Sequence, residues 1–233
     1  MTDFSRASAP LLKGALVQLT ESVVGFIVPN VVVFQFNPKE LSHTITPWNP
    51  QAVDQTQRGA QAPMVQPHHV QESFSFTLEL DATDGAAFGS SKALTTGVAD
   101  RLAALKKLTY PSEGLFGDLV RNASALAGSA TCQIERPKVP VVLLVWGPGR
   151  IVPVRVTSFS VTEKWHTRTL HPLHADVSLG LEVMTPDAFR SRMTLSQKIA
   201  TAAYNYTRVV DDVLAILNLE NTASDAAGLP PFM

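Results

Sequence analysis

Six histidines, one cysteine and a few neighbouring acids are the side chains here that could do chemistry. His68 and His69 are adjacent. On a strand, neighbours point to opposite faces, so the pair grips a metal only if the backbone turns. His166, His171 and His174 lie close together, but Pro172 separates the last two. No cysteine or carboxylate stands beside them at a standard zinc-ligand spacing. Cys132 would be a nucleophile only with a histidine in reach, and no signature surrounds it; an ordinary packed thiol is the simpler reading. Asp211 and Asp212 follow each other in a helical stretch and do not face one another. Glu79 and Asp81 share a strand face, which alone makes no hydrolase. There is no GxSxG, no HExxH and no glycine-rich phosphate loop after a strand. The expectation is a protein that is not an enzyme and holds no metal and no cofactor.

The tryptophans suggest contacts rather than catalysis. Trp165 sits in the polar run EKWHTRTLHP, Glu163–Pro172. Base stacking would need a basic groove beside it. A formal net charge of −1 gives no pull toward nucleic acid or an acidic membrane. An aromatic anchor in a protein contact fits Trp165 better. For Trp48 and Trp146, packing at a sheet rim fits equally well. The candidate interface side chains are Trp48, Arg58, Trp165, His166, Arg168, His171 and Tyr206. A single cysteine excludes an internal disulfide. The opening MTDFSRASAP lacks the basic-then-apolar layout of a signal peptide. No apolar run approaches the roughly 20 residues that cross a bilayer. Synthesis in the cytoplasm without membrane insertion is expected.

The elements that position these residues are mostly strands. A chain of 233 residues can bury one core, or one core with a small appendage. Leu11–Thr20 alternates as a first strand, Glu21–Asn30 reads as a connection because of Gly25 and Pro29, and Val31–Phe36 is a β-branched and aromatic second strand. Pro38 ends it. Ser42–Thr46 is a short third strand. The 47–67 stretch, rich in Gln, Ala and Pro, fits either a disordered loop or an arm that orders against a neighbour. Val70–Asp81 alternates strictly, with Phe74, Phe76, Leu78 and Leu80 on one side. The 82–108 stretch changes to helical spacing at Leu94, Val98, Leu102 and Leu105 and ends in Lys106-Lys107. Thr131–Glu135, Val141–Trp146 and Ile151–Ser158 are further strands, with a hairpin at Gly147-Pro148-Gly149. A phase change after Val156 predicts a bulge near Thr157–Ser158. Glu163–Pro172 reads as a hairpin tip, and His174–Met184 alternates again. A final helix is expected over Ala188–Leu219, with a possible break at Tyr204-Asn205. Its stripe comprises Ile199, Ala202, Ala203, Tyr206, Val210, Val213 and Leu217. The fold class is therefore mainly β with flanking helices (α+β), antiparallel, with a β domain over 1–186 and a helical extension over 187–233.

Two motifs carry a family resemblance. Lys13, Ala15 and Leu16 match a "KA-L" strand start, and Phe34, Phe36, Asn37, Pro38, Glu40 and Leu41 match an "F-FNP-EL" strand and turn. With the later runs Val154–Phe159 and Leu170–Leu179, the stretch Leu11–Pro186 resembles the tube-type domain of contractile injection systems, in the group of baseplate adaptors that carry LysM modules. No LysM-like module follows Pro186. The resemblance implies a tail-tube-like β-sandwich or barrel with one central helix and a long C-terminal helix. It also implies a structural protein of a phage-tail-like particle: a baseplate or tube initiator forming a homohexameric ring. Its expected partners are copies of itself, the spike or hub protein, inner tube proteins and baseplate wedge proteins. The particle would be assembled in the bacterial cytoplasm and stay there, dock at a membrane or be released. An inner tube subunit and an unrelated β-rich protein-binding module are the alternatives.

Overall fold

A computed structural model of the chain describes residues 12–21, 27–47, 69–83, 96–110, 140–189 and 194–227. The elements are β1 (Ala15–Glu21), β2 (Ile27–Val33), β3 (Leu41–Thr46), β4 (Gln71–Asp81), α1 (Ala99–Lys107), β5 (Val141–Val145), β6 (Ile151–His166), β7 (Pro172–Val183), a 3-10 turn (Pro186–Phe189) and α2 (Leu195–Ala227). Among the described residues the strands form one seven-stranded sheet in the order β2-β1-β5-β6-β7-β4-β3. Every ladder in it is antiparallel.

The sandwich or barrel implied by the resemblance is not formed. Among the described residues no ladder joins the outer strands β2 and β3, so the sheet is open and there is no second sheet. Alternation along β4 and β7 correctly signals one covered face, but a helix or the sheet's own curvature can supply the cover as well as a facing sheet. Here the sheet curls round its core. Phe34, which follows β2, packs on Phe76 of β4 at 5.6 Å and on Trp146, after β5, at 6.4 Å between ring centroids.

The core has two parts, one on each side of the middle strands. Leu16, Val142, Leu144, Val154, Leu179 and Leu181 lie inside the curl with Phe34 and with Leu102 and Leu105 of α1. Leu19, Val141 and Leu143 point the other way and meet Phe189 and Ala200 of α2. β1 and β5 are thus buried on both faces, which is why Val141–Val145 reads as an unbroken apolar run. β4 is buried on one face only, and its burial alternates residue by residue.

The expected bulge is present: the β6–β7 register shifts between Val156 and Ser158. Gly180 lies opposite, where a Cβ would sit 2.3 Å from the Ser158 hydroxyl. Several boundaries differ from the sequence expectation. β2 runs over Ile27–Val33 rather than Val31–Phe36, so it ends before Pro38 is reached, and Pro29 is paired to Leu19. Because β2 is an edge strand, proline's missing N–H costs no ladder bond if it faces outward. β6 runs on through Glu163–His166, so the hairpin tip is shorter than expected. α2 starts at Leu195, not Ala188, and passes Tyr204-Asn205 unbroken. The 47–67 segment from Trp48 on, Thr131–Glu135, Cys132 and Arg58 lie outside the described residues, as does most of 82–95.

Candidate functional site

The motif residues form a structural knot at the entry to the sheet. Asn37 accepts a hydrogen bond from the Gly14 N–H at 2.9 Å and donates its amide to the Leu12 carbonyl at 2.8 Å. Lys13 donates to the Gln35 carbonyl at 2.9 Å, and the Phe34 N–H donates to the Gly14 carbonyl. One side chain thus holds two backbone groups just before β1, and the chain bends at Gln35–Phe36 and again at Lys39 on its way to β3. Ala15, Leu16 and Phe34 are buried, Leu41 is half-buried, and Phe36 and Glu40 are exposed. Gly14 is required by contact: a Cβ there would meet the Phe34 ring at 2.7 Å. Gln35 extends the knot to β4. Its amide donates to the Asp81 carbonyl at 2.7 Å and accepts from the Asp81 N–H at 3.0 Å, as a strand partner would. It also accepts from Arg101 of α1.

Beyond the knot lies a groove of about 700 Å³ floored by the uncovered face of the sheet. Hydroxyls dominate its floor: Ser75 and Thr77 of β4, Ser158 and Ser160 of β6, and Ser178 of β7. Thr77 and Ser178 are hydrogen-bonded across the ladder at 3.1 Å. Lys39, on the rim, pairs with Glu79 at 2.8 Å, and this hydrogen bond raises the lysine pKa. Further along, Lys164 donates to Asp176 at 2.5 Å and holds that carboxyl below the usual range. Asp81 is lowered chiefly by the Thr83 hydroxyl, which donates to it at 2.6 Å. The polar lining of the groove itself thus combines hydroxyls with the Lys39–Glu79 ion pair and Glu40.

The candidate interface residues divide. Trp165, His166, Arg168 and His171 gather at the β6–β7 hairpin, whose tip is closed by the Thr167 N–H donating to the His171 carbonyl at 2.8 Å. Trp165 is 70% exposed and leans on His174 with centroids 5.4 Å apart. His166 lies 3.8 Å from Glu163. Tyr206 is elsewhere, on α2, donating to the Pro148 carbonyl at 2.9 Å. The other described histidines are spread: His43 stacks on Phe74, and His69 lies beside Asp187. Among the described residues no three His, Cys, Asp or Glu side chains gather as a metal set.

One cluster escaped the sequence reading. Glu72 of β4 is buried on the core side and is met by Arg208 of α2, with His43 of β3 at 3.3 Å. Burial, followed by the Arg150 and Arg208 guanidiniums, pushes His43 below its ordinary pKa. Glu72 lies close by, but its charge is already met by Arg208. The signal was available: Glu72 has the inward parity of Phe74, Phe76 and Leu78, and an inward carboxylate needs a cation. The cluster ties α2 to the sheet.

No family model matches the chain, and no curated protein matches it.

Proposed function

We propose that the chain is a structural ring subunit of a contractile injection particle, set between spike hub and inner tube and touching the baseplate wedge. The observation that carries this reading is the state of the two outer strands. Val31 and Val33 on β2 and Ile45 on β3 are each more than half exposed, on strands whose outer sides have no ladder among the described residues. Apolar, unprotected edges invite strand pairing with another chain. In a ring of equivalent copies, β2 of one subunit and β3 of the next would complete each other. The knot built from the FNP turn supports the same reading, because it fixes the spacing between these two edges. The hydroxyl-lined groove suits a wet, non-reactive surface facing a channel or a neighbour. In this reading the chain carries no reaction, is made in the bacterial cytoplasm and is taken up into the particle.

The test is deletion of the gene from a producing cell, followed by negative-stain imaging of purified particles. Spikes without attached tubes are expected, with tubes restored by the wild-type chain and not by a Val31→Lys/Ile45→Lys variant. Complete particles in the deletion strain would refute the proposal. A module that binds a peptide by strand addition would also use these edges. It differs in leaving particle assembly untouched.

A further inference from the structure

We infer that α2 is a coiled-coil helix whose outward seam pairs two copies of this chain antiparallel. The helix carries two distinct faces. The side turned to the sheet buries Ser196, Ala200, Tyr204 and Thr207. Thr207 both donates to the Ile151 carbonyl and accepts from its N–H. About 135° round the helix, at 3.6 residues per turn, runs a second series: Leu195, Ile199, Ala202, Tyr206, Val209, Val213 and Ile216. Their spacing is four, three, four, three, four and three, the alternation that defines the a and d positions of a heptad. Every one of them is exposed, from 38% at Ile199 to 62% at Ile216 among the large side chains. An apolar seam of three heptads turned away from its own core has the pattern of a helix that packs on another helix.

The residues flanking the seam choose the occupant. In a parallel pair each layer would face itself, setting tyrosine on tyrosine at 206 and alanine on alanine at 202. The flanking Lys198 and Asp212 would then lie against the apolar positions Ala203 and Leu217. An antiparallel pair resolves both mismatches. Its layers set Ile199 against the partner's Val209, Ala202 against the partner's Tyr206, and Leu195 against the partner's Val213, large on small at the centre. The same register places Lys198 beside the partner's Asp212, twice by symmetry, and Asn205 beside the partner's Asn205. Lys198, Asn205 and Asp212 are all exposed. From Val209 to the end of the chain there is no lysine or arginine, which argues against an anionic membrane as occupant. The contact is two-fold and self-complementary. It is independent of the proposed ring, whose neighbours meet head to tail, and it uses none of the edge strands.

The experiment is mass measurement by sedimentation on the full chain, with cysteine cross-linking to read the register. The wild-type chain is expected at twice its monomer mass at micromolar concentration. Val213→Asp should give monomers with an unchanged far-ultraviolet spectrum. Lys198→Glu should weaken the dimer at least tenfold, and adding Asp212→Lys to it should restore pairing. On a Cys132→Ser background, Asn205→Cys should oxidise to an interchain disulfide while Val209→Cys should not. A wild-type chain that stays monomeric overturns the inference. So does self-cross-linking through Val209→Cys instead of Asn205→Cys. A folded monomer that binds phosphatidylserine vesicles, and loses that binding in Val213→Asp, also overturns it and assigns the seam to a membrane surface.

Discussion

β5 and β4 belong to the same sheet and differ in what their two faces meet. β5 is buried on both sides, by the interior of the curl and by α2; β4 is buried on one side and wet on the other. Residues of β5 are therefore constrained at every position, and those of β4 at every second one. The difference separates the part of the molecule that holds the fold from the part left free to meet other molecules. It also says where substitutions should hurt.

The largest effect is expected in β5. Leu144 is fully buried, and Leu144→Ala should cost about 2–5 kcal/mol in denaturant unfolding. Ser75→Ala, on the wet face of β4, should stay within about 0.5 kcal/mol. Equal losses would break the contrast. Next comes the knot: Gly14→Ala forces a methyl group into the Phe34 ring and should cost about 1–3 kcal/mol, read as a lower melting temperature. Arg208→Met tests the one place where the inner face of β4 carries charge. It strips the guanidinium from buried Glu72 and should cost about 1–3 kcal/mol, less than a fully buried pair because Arg208 is 42% exposed.

The pH dependence follows from the same cluster. His43 is held below its ordinary 6.5, so the unfolded chain takes up that proton first as the pH falls. Stability should decline from about pH 6.5 downward, until folded His43 itself titrates, and His43→Gln should flatten that slope in urea titrations. Asp81 and Asp176, both held below 3.8, add a further loss only in stronger acid. The smallest expected effect is Thr77→Val. It removes one exposed hydroxyl pair and should change stability by about 0.5 kcal/mol or less.

What could be read from the sequence follows this division. β4 and β7 were legible because one wet face imposes strict alternation, and the bulge was legible as a break in it. β2 was placed too late at both ends: Pro29 looked like a breaker, nothing local marks a strand as an edge, and Phe34–Phe36 leave the ladder despite their strand-like composition. The polar end of β6 looked like a turn because both faces of that hairpin are exposed. The sandwich or barrel implied by the family resemblance is not formed; alternation says only that a face is covered, and tertiary packing decides by what. The α2 stripe was visible, but its direction was not. The helix buries Ser196, Ala200 and Thr207 on the sheet and turns Ile199, Val209 and Val213 outward. Of the candidate contact residues, Trp165, His166, Arg168 and His171 lie at one hairpin because they are neighbours in sequence. The Glu72–Arg208 pair joins distant segments.

The central functional proposal is that the edges β2 and β3 are completed by sister subunits, and hydrogen exchange measures this most directly. In the free chain the outward amides of Ile27–Val33 and Leu41–Thr46 should exchange fast, while Val141–Val145 stays protected. In the assembled particle both edges should become as slow as the central strands. Edge amides that exchange equally fast in the free chain and in the particle would contradict it.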